Sequence, residues 1–378
     1  MTTAFKILTL SVGSTSTKAA VFEGDKPLLR SNIHHDADEL SAFDDPRDQQ
    51  EYRTRAILDE LSGKGFSIDG MDAFSGYCGG LKPAVGGTYL LNAQAVADAT
   101  DGRTNHPAIL AVPILFDFSK RTGKPAFAVN PPDTDELADV ARICGYPGIY
   151  RESHVHCLNQ KECAIRFAAS LGKRYDEVNV IVAHVGGGLS VAAHQHGRMV
   201  DTTDVLRGEG PFSPNRSGDV PAKPVAALCF DGKHTKKEVD NVIGRTGGLK
   251  GLLGTDDAME IERRIDSGDK WATLVYHAMA YQLAKQVGAF AAAMAGKVDG
   301  IVLTGGVSND ERFVEQVKQL TSWIAPVVAY GGDFEMEALA AGAVRVLSGS
   351  EEALTYTGET LFGGFPYEGA IAPIELGA

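Results

Sequence analysis

Two glycine-rich loops contain the residues of this chain that are best suited to bind an anion. Residues 13–17 (GSTST) follow the apolar stretch FKILTLSV, residues 186–188 (GGG) follow VNVIVAHV, and an apolar stretch resumes after each loop. Small residues let the backbone approach an anion, so that amides and the hydroxyls of Ser14, Thr15, Ser16 and Thr17 can donate to it. One such loop is more often an ordinary hairpin, but two at equivalent places predict a pair of phosphate-binding hairpins.

A third glycine loop, TGGV, contains Gly305 and Gly306 and leads into a helical pattern with Asn309 and Asp310 as cap candidates. The first two loops instead lead back into a strand. They therefore differ from the Walker loop, whose GxxxxGK[ST] pattern is absent, and from the Rossmann fingerprint, since both of those precede a helix. A dehydrogenase built on a Rossmann domain is disfavoured for the same reason.

The elements that must position these loops alternate between strands and helices, which indicates an α/β fold. Apolar residues at helical spacing predict helices over residues 153–171, 271–294 and 335–347, the last with Asp333 as its N-cap. The strand, glycine loop and strand occur once in each half, so a duplicated domain is the economical explanation. The interruption GYPG places the boundary between the halves near residue 150.

Composition limits the classes of function. The 378 residues suggest about two domains, and a net charge of −13 disfavours nucleic acid and anionic membrane surfaces as partners. The five cysteines include no CxxC pair and no metal-ligand spacing, which favours reduced thiols. The first apolar run is too short for a signal sequence and no stretch is long enough to span a membrane, so we expect a cytoplasmic protein.

Six strings, in this order and at these separations, resemble the butyrate kinases, a branch of the acetate kinase family within the actin and sugar-kinase superfamily. They are GSTSTK, LNQK, VAHVGGGLSV, GEGPFSPNRSGD, TGGV and EMEALAAGAVRVL. The resemblance covers residues 5–349, and the last 25 residues, from Leu354, look like an appended tail outside it. It implies an α/β fold of two duplicated actin-like (ribonuclease H-like) domains flanking a nucleotide cleft. We expect domains over residues 1–150, joined by 340–378, and over 151–339.

The resemblance also implies an activity. Members transfer the γ-phosphoryl group of ATP to a short-chain carboxylate, reversibly and with Mg²⁺, to give an acyl phosphate and ADP. Butyrate or a branched acid of four or five carbons is the implied acceptor, and a homodimer or higher homo-oligomer is the implied assembly. Such a reaction needs cations and donors around the transferred group and a pocket that places the carboxylate in line.

Matching positions give the site residues that the resemblance implies. Arg216, His156 and His106 would contact the transferring phosphoryl group, and the planar fork of an arginine suits its oxygens. The nucleotide candidates are Gly13, Ser14, Thr15, Ser16, Lys18, His184, Gly186, Gly187, Gly188, Gly305 and Gly306. The metal candidates are Glu335, Glu337 and Ser11, although the two glutamates would equally suit the positive end of a helix dipole. The substrate candidates are Gly79, Gly80, Cys78 and Asn130.

Three of these positions depart from the family pattern. Relatives have asparagine at the position of Ser11, arginine at Cys78 and aspartate at Asn130, so a guanidinium and a carboxylate are missing. The chain is then a carboxylate kinase, a kinase for a different acid recruited through Lys82 or Arg103, or a catalytically impaired nucleotide-binding or regulatory homologue. A nucleophilic role for Cys78 is disfavoured because no base is assigned to it.

Overall fold

The computed structural model of the chain describes residues 4–365. Its strands are Lys6–Val12 (β1), Ser16–Glu23 (β2), Lys26–His34 (β3), Ala73–Gly76 (β4), Thr88–Leu90 (β5), Ala126–Val129 (β6), Asn179–Val185 (β7), Leu189–Gln195 (β8), Arg198–Thr202 (β9), Gly300–Gly305 (β10), Val327–Gly331 (β11) and Leu354–Thr355 (β12). Its helices are Ala37–Ser41 (α1), Gln50–Gly63 (α2), Ala93–Ala99 (α3), Ala111–Thr122 (α4), Asp139–Arg142 (α5), Cys157–Ser170 (α6), Ala222–Cys229 (α7), Lys236–Asn241 (α8), Gly248–Leu253 (α9), Ala258–Asp266 (α10), Lys270–Ala293 (α11), Glu311–Thr321 (α12) and Glu335–Leu347 (α13).

The chain forms two compact units, each built on one mixed sheet. The first unit holds residues 4–135 with Phe334–Phe365, and its strand order is β12-β5-β6-β4-β1-β2-β3. The second unit holds Glu136–Asp333, with the order β11-β10-β7-β8-β9. In both, an antiparallel three-stranded meander is followed by two parallel strands, so β3-β2-β1-β4-β6 repeats as β9-β8-β7-β10-β11. The predicted α/β class and the predicted duplication are confirmed.

The buried strands are rich in apolar residues because helices cover them. Every residue of β7 and of β10 is buried, as expected for central strands with both faces covered. In the first unit Phe74 of β4 packs with Phe118 of α4, and their ring centroids lie 5.7 Å apart. In the second unit, α11 and α12 pack on the sheet through Leu283, Val287 and Phe313, among others. The two hairpin loops thus project from the ends of firmly packed strands.

Two of the helices predicted from sequence have nearly the predicted bounds, and one starts later. The helices predicted over 271–294 and 335–347 are α11 and α13, but α13 is capped at Phe334 without a side-chain bond, so Asp333 is not its N-cap. The helix predicted from residue 153 begins only at Cys157. Its delayed start has a tertiary cause, since the backbone N–H of His156 donates to Ser190 Oγ on β8 at 3.3 Å and holds this segment against the sheet.

The interpretation of residues 354–378 as an appended tail is wrong for the part that the structure describes. Leu354–Thr355 pairs in parallel with β5, and Tyr356, which is 3% exposed, donates to Asp98 Oδ2 at 2.9 Å. A two-residue strand has no periodicity by which sequence could reveal it. Residues 366–378 of the predicted segment 340–378 lie outside the described residues.

The domain limits expected from sequence, 1–150 with 340–378 and 151–339, stay a prediction, since units defined by packing need not coincide with bodies that move together. Between residues 4 and 365, no helix is both long and apolar enough to cross a membrane.

Candidate active site

The glycine loop of the second unit is clamped by the turn GPFSPNRSG. Across the mouth of the hairpin, Gly186 N donates to Gly188 O at 3.0 Å. From the turn, Ser213 Oγ and the backbone N–H of Asn215 donate to Gly187 O at 2.6 Å and 3.3 Å. Because the middle carbonyl of the loop accepts both bonds, the loop and the turn form one rigid unit.

Three side-chain nitrogens lie directly over this loop. A Cβ on the first, second and third glycine of residues 186–188 would lie 3.1 Å from His184 Nε2, 3.1 Å from Asn215 Nδ2 and 2.7 Å from Arg216 Nη1. None of these glycines has a positive φ, so the closeness of these side-chain ends, and not backbone conformation, favours glycine here. The loop is thus a cradle edged by nitrogen donors, which suits a phosphate group.

The Arg216 guanidinium is half-buried and only partly satisfied by the protein. Its Nη1 donates to Val205 O at 3.1 Å, while its Nε is buried without a hydrogen-bond partner among the described residues. Burial lowers the pKa of Arg216, and the negative charge of Asp204 opposes that effect. A half-buried guanidinium with donors to spare is a ready partner for phosphoryl oxygens.

Two histidines beside the loop are stacked and neutral. The rings of His156 and His184 lie 3.9 Å apart with an interplanar angle of 11°. Burial lowers the pKa of His184 to about 4. Burial holds the pKa of His156 well below its usual value, and the proximity of His184 and Arg216 lowers it further because a second positive charge would be repelled there. At neutral pH both rings are therefore uncharged hydrogen-bonding groups rather than cations.

The third glycine loop lies beside the end of β7. Gly305 has φ +88, and a Cβ there would lie 2.4 Å from Val185 O, so only glycine fits. Gly305 N donates to Gly332 O at 2.9 Å, and Gly332 N donates back at 3.1 Å. Gly306 is exposed, with nothing within 4 Å of a Cβ. The second and third loops are thus neighbours, and the third presents open backbone.

In the first unit, the loop of residues 13–17 is held from beneath by a buried arginine. Gly13 N donates to Ser16 O at 2.8 Å and closes the turn. The Arg53 guanidinium, 0% exposed, donates to Ser14 O at 3.0 Å, to Ser16 O at 3.4 Å and to Thr17 Oγ1 at 3.1 Å. Burial lowers the pKa of Arg53 to about 10. The hydroxyls of Ser14 and Thr15 remain on the exposed side.

Sequence reasoning missed both Arg53 and Asn215. The signal for Arg53 was available, because it lies four and eight residues before Ile57 and Leu61, the other buried positions of α2. A charged residue at an apolar helical position is a candidate for a buried role. Asn215 lies inside the recognised GPFSPNRSG string, but only the folded turn brings its amide over Gly187.

His106 lies against the first loop. It is the N-cap of the short 3₁₀ turn Pro107–Leu110, where its Nδ1 accepts from Ala108 N at 3.1 Å. Its Nε2 lies 3.4 Å from Ser14 Oγ. Burial, followed by the charge of Arg53, lowers the pKa of His106. The histidine therefore serves as a turn cap and as a neighbour of the candidate phosphate loop.

The metal candidates lie on β1 and in the first turn of α13. Ser11 pairs with Lys18 across the hairpin, and Lys18 Nζ lies 3.7 Å from Glu335 Oε2. Glu337 Oε1 instead forms an ion pair with Arg30 at 2.5 Å. Between residues 4 and 365, no group of three or more His, Cys, Asp or Glu side chains could hold a metal ion. One carboxylate and one hydroxyl fit Mg²⁺ if phosphates and water supply the remaining ligands.

The substrate candidates lie in the interior of the first unit. Cys78 is 0% exposed and belongs to the hydrophobic core, and burial raises the pKa of its thiol. Gly79 N donates to Ala108 O at 3.2 Å, and Gly80 has φ +80. Asn130, with φ +40, accepts from Gly87 N through Oδ1 at 2.8 Å. Of these residues, Asn130 thus binds a neighbouring loop through its side chain, whereas the Cys78 side chain packs in the core.

The two cations considered for recruiting a different acid already have partners. Lys82 Nζ donates to Gly358 O at 2.7 Å and lies 3.7 Å from Asp98 Oδ1. Arg103 Nε pairs with Asp101 Oδ2 at 2.5 Å, and its Nη2 donates to Gly80 O at 3.4 Å. Capture of an acid by either residue would therefore have to break these contacts.

Comparison with known proteins identifies the family. The model of the Acetokinase family matches residues 147–331. The chain is 42% identical over 353 residues to butyrate kinase 2 of Clostridium acetobutylicum. The aligned residues cover 93% of this chain and 99% of that protein. The chain belongs to the acetokinase family.

Solved structures agree on the fold. The acetate kinase of Porphyromonas gingivalis superposes with a TM-score of 0.75 at 22% identity, over 91% of this chain and 100% of that chain. A propionate kinase from Francisella tularensis gives a TM-score of 0.68 at 17% identity, over 89% of this chain and 98% of that chain. The predicted actin-like fold is confirmed. The roles of the individual site residues stay predictions.

Proposed function

We propose that the protein transfers the γ-phosphoryl group of ATP to a short-chain carboxylate, with butyrate or a branched acid of four or five carbons as the acceptor. The observation that carries this proposal is the cradle over residues 186–188, where His184, Asn215 and Arg216 each bring a nitrogen to the glycine backbone. Membership of the acetokinase family and the identity to a butyrate kinase over 93% of the chain support the choice of acceptor.

The neutral histidines suit this acceptor. A carboxylate oxygen forms the new bond to the γ-phosphorus as the bond to the β–γ bridging oxygen breaks, and ADP leaves. An ionised carboxylate has no proton to lose at neutral pH, so the reaction needs no general base. It needs donors and positive charge at the equatorial oxygens. His156 and His184 would supply neutral donors there, and Arg216 would supply the charge.

The nucleotide would be held by the glycine loops. In this proposal the cradle over residues 186–188 holds the terminal phosphates and adenosine lies on the open backbone at Gly306, while residues 13–17 with Lys18 stay the predicted phosphate donors of the first unit. A clamp made of fixed backbone and small side chains requires little reorganisation on binding, which favours positioning of the phosphoryl group.

Glu335 and Ser11 would hold Mg²⁺ together with phosphate oxygens. When bound, the ion would neutralise charge on the phosphates. Lys18, 3.7 Å from Glu335, keeps this carboxylate beside the first loop. Glu335→Gln should therefore raise the Mg²⁺ concentration needed for half-maximal activity, while Glu352→Gln, which changes an exposed glutamate elsewhere in the same unit, should not.

The deciding experiment is acyl-phosphate formation, trapped as the hydroxamate, with Mg-ATP and straight and branched acids of two to five carbons. Turnover that is greatest on an acid of four or five carbons and lost in Arg216→Ala supports the proposal. Arg174→Ala is the matched control, because its side chain is 73% exposed. Nucleotide binding without turnover on any acid would contradict the proposal and favour the second candidate.

That second candidate is a nucleotide-binding homologue without turnover. It is favoured by the burial of Cys78 at a position where the family resemblance implies an arginine. The double variant Cys78→Arg with Asn130→Asp tests it, since restored turnover would show that the kinase machinery is otherwise complete.

The expected assembly is a homodimer or a higher homo-oligomer, which light scattering of the purified chain would measure. The net charge of −13 supports the expectation that neither nucleic acid nor an anionic membrane is a partner. The cytoplasmic location expected from sequence stays a prediction.

A further inference from the structure

Two adjacent amide side chains of α6, Asn159 and Gln160, lie beneath the stacked histidines, and the mechanism above gives them no role. Asn159 is 4% exposed and Gln160 0%. Asn159 Nδ2 contacts His184 Nδ1, while Gln160 contacts His156 through one intervening hydroxyl. Buried amides that contact functional rings determine which ring nitrogen carries the proton.

The bonds around Asn159 fix the tautomer of His184. Thr304 Oγ1 donates to Gly332 O at 3.2 Å, so the hydroxyl must accept its other bond, from Asn159 Nδ2 at 3.1 Å. The same NH₂ group donates its second hydrogen to His184 Nδ1 at 2.8 Å. Nδ1 of His184 is thus an acceptor, and the single proton of the neutral ring lies on Nε2, the atom nearest the cradle.

The bonds around Gln160 fix the tautomer of His156 in the same way. Gln160 Nε2 donates to the Ser190 carbonyl at 3.1 Å and to Ser190 Oγ at 2.8 Å. Ser190 Oγ also accepts from His156 N at 3.3 Å, so its own hydrogen is left for His156 Nδ1 at 2.7 Å. The proton of the neutral His156 ring is therefore again on Nε2.

The orientation of Gln160 is itself determined from further along the sheet. The Tyr175 hydroxyl lies 2.7 Å from His194 Nδ1, and His194 Nε2 lies 3.4 Å from Gln160 Oε1. A tyrosine hydroxyl donating to His194 leaves that ring's Nε2–H to donate to the amide oxygen of Gln160. Donation then runs in one direction from Tyr175 to His156.

We infer that Asn159 and Gln160 are positioning residues that hold both stacked histidines as neutral Nε2–H donors toward the transferring phosphoryl group. The catalytic effect of this positioning rests on the proposed function, whereas the assignment of the two tautomers does not. A ring with its proton on Nδ1 would present a lone pair to an anionic oxygen, so the wrong tautomer would oppose the transition state.

The tautomers can be measured without turnover. Nitrogen and carbon chemical shifts of the ring atoms in the full chain, labelled at histidine, distinguish the two neutral tautomers and the imidazolium. The signals of the two rings are assigned by their loss in His156→Gln and His184→Gln. Neutral Nε2–H forms of both rings at pH 7 are expected. An Nδ1–H form or an imidazolium at either ring would overturn the inference, whatever acid the protein phosphorylates.

Asn159→Asp then tests the consequence for catalysis. The carboxylate accepts where the amide donated, so the His184 proton should move to Nδ1, and kcat should fall about 10- to 100-fold with a smaller change in the KM for ATP. Asn241→Asp, which adds the same charge on an exposed helix, is the matched control. A shifted tautomer with unchanged kcat would overturn the positioning role.

Ser190→Ala and Ser190→Thr provide an independent test on the His156 branch. Alanine removes the donor to His156 Nδ1, so the ring should sample both tautomers and kcat should fall, whereas threonine keeps the hydroxyl and should restore much of the loss. Equal losses in the two variants would count against the inference. If the wild-type chain turns over no acid while both rings are Nε2–H, the proposed function fails and the tautomer assignment stands.

Discussion

Gly188→Ala displaces the Arg216 guanidinium without altering its charge. The new Cβ would lie 2.7 Å from Nη1, 3.0 Å from Cζ and 3.4 Å from Nε. The glycine has no positive φ, so alanine does not strain the backbone. The atoms that must give way are the far end of a flexible side chain, so the folded state can absorb the methyl group at little cost.

The size of the effect follows from the displacement. To reach an ordinary contact distance of about 3.5 Å, Nη1 must retreat by about 0.8 Å. A misplacement of about 1 Å at a reacting group costs on the order of 100-fold in rate, which corresponds to about 2.7 kcal/mol. Gly187→Ala should cost less, because Asn215 Nδ2 at 3.1 Å needs to move only about half as far.

The assay is steady-state hydroxamate formation for each variant, together with its free energy of unfolding in urea. We expect Gly188→Ala to lose about 100-fold in kcat/KM and less than about 1 kcal/mol in stability. Gly288→Ala is the control, since nothing lies within 4 Å of its Cβ and it lies inside α11. A folded Gly188→Ala enzyme within twofold of wild type would refute the view that the exact position of Arg216 matters.

Three further predictions concern stability. Arg53→Lys should lower the free energy of unfolding by about 2–4 kcal/mol and raise the KM for ATP, because lysine cannot reach all the oxygens that the guanidinium contacts. An unchanged midpoint of urea unfolding would contradict this prediction. Tyr356→Phe should cost about 1–2 kcal/mol because its hydroxyl donates to Asp98 and accepts from the backbone N–H of Lys82, whereas no loss would show that the segment after β12 contributes little. In the folded chain the pKa values of His35 and His184 are lowered to about 4. As the pH falls below 6.5, these two histidines are therefore protonated in the unfolded chain before they are protonated in the folded chain. Stability should then fall between pH 6.5 and 4 by up to about 1.4 kcal/mol per unit for each histidine, which unfolding at several pH values would measure.

The parts of the fold that the sequence predicted correctly are those that interactions between neighbouring residues determine. The hairpin loops and the helices α11 and α13 follow from apolar periodicity and from glycine, both of which act within a few residues. The start of α6 at Cys157 and the place of Asn215 over Gly187 depend on contacts from distant parts of the chain, with Ser190 in the first case. The tautomers of the histidines depend on the same kind of contact, so no spacing in the sequence could reveal them.

The arginines beside the two hairpins of the duplicated fold contact their loops in different ways. In the second unit, Arg216 lies over Gly188, on the side of the loop that we propose for an anion. In the first unit, the charge lies beneath the loop, where Arg53 donates to carbonyl oxygens of Ser14 and Ser16.

The acceptors of Arg53 that the structure shows are carbonyl, hydroxyl and amide oxygens. Because none of these is a carboxylate, its field is not cancelled locally and reaches His106, whose pKa it lowers. Lysine at this position would keep the charge and lose the planar fork, whereas methionine would lose both. A KM for ATP raised equally in Arg53→Lys and Arg53→Met would therefore assign Arg53 to the geometry of the loop, and a larger increase in Arg53→Met would assign it to the charge felt by the nucleotide.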